Sequence, residues 1–177
     1  MICLFSIQTW AQSGKLFNTD NQLSSNLATQ VFQDKSGFIW IATRNGLNNY
    51  DGYHINVIKK DMSNFLGLNS NYINSIAQDE KEHILLGTNN SLLEFTGSEF
   101  LKIPMLDSKG EELATYVKQV YPLRNKDVAV ATSGYGIMLK KQDEQKCHAM
   151  KGEVEKLKYI HKLLEDKRGR LWIITED

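Results

Sequence analysis

Proline is scarce in this chain: two in 177 residues, Pro104 and Pro122. Cysteine is equally scarce, with only Cys3 and Cys147. Two cysteines cannot build a disulfide framework. Charge of one sign is lacking too, since 21 Lys and Arg balance 21 Asp and Glu. That balance excludes a strongly basic nucleic-acid binder and a polybasic membrane clamp. No apolar run reaches the roughly 20 residues that a bilayer span needs. What is present is a globular composition, 41% hydrophobic and 10% aromatic, which argues against disorder.

The first eleven residues, Met1 to Ala11 (MICLFSIQTWA), are mostly apolar and run into Gln12-Ser13-Gly14. Thr9 and Ala11 are small residues at the spacing a signal peptidase cuts. No Lys or Arg precedes the run. We read 1–11 as the remnant of a secretory signal, with a hydrophobic first strand as the alternative.

The remainder, 12–177, repeats. Leu23-Ser24-Ser25-Asn26-Leu27 returns 45 residues later as Leu68-Asn69-Ser70-Asn71-Tyr72. The same spacing carries Gln33-Asp34 onto Gln78-Asp79 and Thr43 onto Thr88. Further copies begin near Tyr116 and Tyr159, so units start near 23, 68, 116 and 159. In the fourth, Asp166, Gly169, Trp172 and Thr175 take the places of Asp34, Gly37, Trp40 and Thr43. Thr132 holds the threonine place in the third.

Ile39–Ala42, Ile84–Gly87, Val128–Ala131 and Leu171–Ile174 are apolar on consecutive residues, as strands buried on both faces are. Asp34-Lys35-Ser36-Gly37 and Asp166-Lys167-Arg168-Gly169 predict tight hairpins with glycine in a left-handed position. A period near 45 with several short strands predicts an all-β fold, a β-propeller, here an incomplete arc of about four blades. The fourth unit stops at Asp177, in the place of Asn45 and one residue before a turn glycine is due, and we expect part of a larger ring.

Val31-Phe32-Gln33-Asp34-Lys35-Ser36-Gly37-Phe38-Ile39-Trp40-Ile41-Ala42-Thr43-Arg44-Asn45-Gly46-Leu47-Asn48-Asn49-Tyr50-Asp51-Gly52 resembles the two-component regulator propeller repeat. The second unit departs from it with Glu82 and Leu85, and the third carries Pro122-Leu123-Arg124. Such repeats build the periplasmic sensor of hybrid two-component histidine kinases in Bacteroides-type bacteria. The resemblance implies detection of an oligosaccharide and control of glycan-utilisation genes. It also implies partners: the rest of the propeller, kinase modules and a second copy as a homodimer. Kinase activity would lie in segments this chain does not contain, as would any membrane anchor. Nucleic acid is not an expected partner.

Catalytic and cofactor motifs are wanting: no phosphate loop, HExxH, CxxC or GxSxG. We expect no cofactor, no metal ligand and no enzymatic activity, with a glycan-cleaving or interaction propeller as alternatives. The recurring Asp34, Asp79 and Asp166 suit turn stabilisation better than catalysis. Trp40 and Trp172 suit buried packing between blades better than sugar stacking. Loops that enter the inner strand or join the second and third strands share one propeller face. They contribute Asn26, Asn71, Arg44, Asn45, Asn89, Asn90 and Tyr135, polar and aromatic groups suited to sugars. Asn as a simple turn former is the competing reading.

Overall fold

The computed structural model describes residues 15–60 and 67–176. The segment 1–11 expected to be a signal remnant, with Cys3, lies outside them, as does Asp177.

The chain is all-β. β1 (Ala28–Gln33), β2 (Ile39–Thr43), β3 (Gly46–Tyr50) and β4 (Ile55–Ile58) form an antiparallel sheet in chain order. β5 (Ile73–Gln78), β6 (Ile84–Thr88), β7 (Leu92–Phe95) and β8 (Phe100–Ile103) repeat it. The third sheet contains β9 (Met105–Leu106), β10 (Glu112–Leu113), β11 (Val117–Pro122), β12 (Val128–Thr132), β13 (Ile137–Lys140) and β14 (Cys147–Ala149). Its order is β10-β9-β14-β13-β12-β11, so the short β9–β10 hairpin extends the outer edge. β15 (Ile160–Glu165) and β16 (Leu171–Thr175) form a final two-stranded sheet. Lys151–Lys158, whose alternating charge predicts a loop or edge strand, holds one 3-10 turn at Glu153–Lys156.

Successive sheets meet along their first strands, β1 on β5, β5 on β11 and β11 on β15. These are the blades of a propeller fanned around inner strands. Alternate residues of the second strands feed opposite gaps. Trp40 packs toward the second sheet, Leu85 toward the third and Ala129 toward the fourth. Leu86, Val130 and Ile173 pack back on the preceding sheet. This is why β6 and β12 are buried at every residue. β16 departs from the expectation. Trp172 is 56% exposed where Trp40 is 5% exposed, because among the described residues no sheet follows on its outer face.

Each inner strand carries a bulge, at 28–30, 73–75, 117–119 and 160–162. At three bulges the side chain reaches the next inner strand. Gln30 Oε1 accepts from Ile76 N (2.9 Å), and Gln30 Nε2 donates to Ile76 O (2.8 Å). Ser75 Oγ accepts from Val120 N (3.0 Å), and Gln119 Oε1 accepts from Leu163 N (2.7 Å). A strand edge that the blade architecture would leave unpaired is thereby satisfied.

Candidate recognition face

The two ends of the inner strands are chemically different. One end carries the hairpins. In all four, the residue at 34, 79, 123 or 166 accepts a backbone bond from the residue three further on. That fourth residue has a left-handed backbone each time: Gly37 (φ 92°), Glu82 (66°), Lys126 (74°) and Gly169 (75°). Asp34 Oδ1 accepts from Phe38 N, and Asp34 Oδ2 accepts from the Trp40 indole at 2.7 Å. Asp166 is held the same way by Arg168 N, Arg170 N and the Trp172 indole. These bonds, led by the indole, lower its carboxyl pKa to about 2. Asp79 accepts from Lys81 N and His83 N. The carboxylates expected to stabilise turns are thus bonded to their own hairpins. The threonines close the loops at the other end: Thr43, Thr88 and Thr132 donate to the carbonyls of Gly46, Ser91 and Gly136. Thr175 pairs with Ile160 across β15 and β16.

The other end carries an aromatic row. Tyr72 and Tyr116 each precede an inner strand, and their rings lie 6.1 Å apart. The Arg44 guanidinium sits over the Tyr72 ring at 5.5 Å, and Lys118 Nζ over the Tyr116 ring at 5.0 Å. Tyr116 donates to Asn74 Oδ1 (2.8 Å). Burial, then the neighbouring Tyr72 hydroxyl, push the Tyr116 phenol up to about 12, so it remains a donor at neutral pH. Tyr159 takes the same place before β15 and is about half exposed. Two cations, two rings and an amide therefore line up across the blade mouths, with Tyr159 at the next repeat position, the grouping that polyol hydroxyls and C–H faces favour.

The asparagines expected as ligand groups lie at this end but mostly spend their oxygens on loops. Asn26 Oδ1 accepts from Thr19 N, Asn71 Oδ1 from Lys60 N, and Asn89 Oδ1 from Ser70 Oγ. Asn90 Oδ1 lies 3.0 Å from Thr88 Oγ1. Asn45 is exposed, and its backbone N–H donates to Thr43 Oγ1. Tyr135 lines a separate cavity of about 90 Å³ with Asp107, Met150 and Lys158. Arg44 is the one expected residue that joins the row; Tyr72, Tyr116, Lys118 and Tyr159 were not expected as site residues. Their signal was visible, as a tyrosine at one repeat position three times. Cys147 and His148 do not converge: the thiol is fully buried, and burial pushes it up to about 12. His148 faces outward against Glu144.

Residues 22–45, 67–90 and 156–177 match the family of two-component regulator propellers. The chain carries two-component regulator propeller repeats. The three matched segments each run through an inner strand, its hairpin and the following strand; the third blade, with Leu123 and Lys126 in its hairpin, falls between them. No curated protein sequence is significantly similar. Among solved structures, the propeller blades resemble the extracellular domain assigned to the hybrid two-component system BT4673 of B. thetaiotaomicron (TM-score 0.69, 16% identity). That match covers 85% of this chain and 22% of the other. BT3049 of the same organism has a similar extracellular domain (0.56, 15%, covering 91% and 29%). Virginiamycin B lyase from Staphylococcus aureus shares the fold as well (0.64, 9%, covering 88% and 50%). The chain spans about a quarter of those two extracellular domains. No helix among the described residues is long and apolar enough to cross a membrane.

Proposed function

We propose that the chain is part of the extracytoplasmic, periplasmic sensor of a hybrid two-component system, and that it binds an oligosaccharide at the aromatic row. The repeats motivate the sensor assignment. The observation that carries the ligand class is the Arg44–Tyr72–Tyr116–Lys118 succession, two neighbouring rings each with a cation over it. In this reading the chain performs no chemistry. It contributes a binding rim, and histidine-kinase output and control of glycan-utilisation genes belong to other parts of a longer protein, working as a dimer. The recurring carboxylates lie one strand length away, roughly 20 Å for six residues, and are held in turns. That placement disfavours a glycan-cleaving enzyme.

Calorimetric titration with a panel of oligosaccharides tests the reading. Binding by the native chain, weakened at least about tenfold in Tyr72→Ala through the lost stacking contact, is the expected result. A folded protein that binds none of the panel, or whose binding is unchanged in Tyr72→Ala, would overturn it.

A further inference from the structure

The second hairpin holds a constellation that the other blades lack. His83 stands where the first blade has Phe38 and the third Asp127; Glu94 stands where they have Asn49 and Leu139. Leu85 replaces Trp40, so no indole reaches the Asp79 carboxylate. In its stead His83 Nδ1 lies 3.9 Å from Asp79 Oδ2 and 3.1 Å from Glu94 Oε1. The three ligand-type atoms fall within 4.8 Å of one another.

Both carboxylates are deeply buried, with side-chain exposures of 6% for Asp79 and 4% for Glu94. Among the described residues, His83 is the sole partner of the Glu94 carboxylate, and Asp79 Oδ2 has no hydrogen bond. A single proton on Nδ1 can bridge to one of the two, not both, because 3.9 Å exceeds hydrogen-bond reach. Among the described residues no Lys or Arg forms an ion pair with either carboxylate. Lys140, buried two residues beyond Met138 on the facing sheet, does not pair with them. Two carboxylates and one imidazole nitrogen thus converge with no Lys or Arg side chain paired to them among the described residues. His83 is the exposed member, 31% open, and borders a groove of about 380 Å³.

We propose that Asp79 Oδ2, His83 Nδ1 and Glu94 Oε1 form a divalent-cation site of the zinc class. Mixed imidazole and carboxylate donors suit that class, and three protein ligands leave a position for water toward the groove. The cation ties the second hairpin to β7, taking over the role that the Trp40 indole plays in the first blade. The site lies at the end of the strands opposite the aromatic row, so it stands or falls independently of the oligosaccharide reading.

Calorimetric titration of the metal-free chain with zinc chloride, paired with thermal melting, tests this. One ion per chain, a melting temperature raised by zinc and restored by EDTA, is expected. Glu94→Asn and His83→Phe install the first blade's residues, and Glu94→Gln keeps the shape. Each should weaken zinc at least about tenfold, given that outer-shell changes alone reach that size. His148→Ala, altering an exposed histidine–glutamate pair, should leave binding unchanged. No uptake by the native chain, or uptake indifferent to all three variants and therefore adventitious, would overturn the site.

Discussion

The first and second hairpins share a backbone and differ in nearly every side chain that decorates it. In the first, Gly37 takes the left-handed turn, and the Trp40 indole bonds the Asp34 carboxylate while packing edge-on against Phe95. In the second, Glu82 takes the same turn, Leu85 fills the packing position and His83 faces the carboxylate. The turn bonds are nonetheless the same, with Gly37 N to Asp34 O at 3.0 Å and Glu82 N to Asp79 O at 3.1 Å. The hairpin is therefore fixed by loop length and the bulged strand before it. The signature residues tune its stability and leave room for other chemistry where they are replaced.

Exchanging the residues between blades sharpens this contrast. Trp40→Leu, which carries the second blade's residue into the first, removes ring volume from a dry gap and leaves Asp34 Oδ2 without its donor. It should lower stability by about 3 kcal/mol in urea unfolding. Trp172→Leu makes the same change on an exposed hairpin and should cost under about 1 kcal/mol. Equal losses would break the claim that the gap, not the motif, gives tryptophan its weight.

The turn position should respond with opposite signs. Nothing lies within 4 Å of a Cβ built on Gly37, so Gly37→Ala tests backbone conformation alone and should cost about 1 kcal/mol. Glu82→Gly should gain about 0.5 kcal/mol, since relief of the left-handed strain outweighs the added freedom of the unfolded chain. A loss in both would show that Glu82 is held there by contacts outside the turn.

The smallest effect is on acid behaviour. Asp166, with its carboxyl pKa lowered to about 2 from the ordinary 3.8, favours the folded state above the unfolded value. That contribution is lost as pH falls through about 2. Trp172→Phe deletes the leading hydrogen bond, so the carboxyl pKa read by NMR titration should rise and the acid loss begin at higher pH. An unchanged pKa would assign the depression to the Arg168 and Arg170 amides and the Arg170 guanidinium instead.

The repeat, the hairpins and the doubly buried strands were legible because period and burial leave a residue-type signature at fixed spacing. The inter-blade bonds from Gln30, Ser75 and Gln119 were not, since the three side chains at one structural position are of two residue types and depend on a bulge. The β9–β10 hairpin was missed for a related reason: two-residue strands are too short to show a period. Trp172 was expected to be buried because Trp40 suggested it. Its burial depends on a neighbouring sheet, which a residue's own sequence does not encode. At the recognition face, the asparagines looked like free amides, but the loops use their oxygens. The tyrosine row was written in the recurrence of Tyr72, Tyr116 and Tyr159, and its meaning emerged only once the first strands met at the hub. The Asp79–His83–Glu94 group was hidden because it combines a turn with a strand eleven residues beyond His83.

The contrast between the two strand ends can be put to one direct measurement. Amide and side-chain chemical shifts of the labelled chain, followed during titration with the oligosaccharide that binds best, report which end is engaged. The account predicts shifts concentrated at Arg44, Tyr72, Asn74, Tyr116 and Lys118, with Asp34, Gly37 and His83 unmoved. Shifts centred on the hairpin end would contradict it.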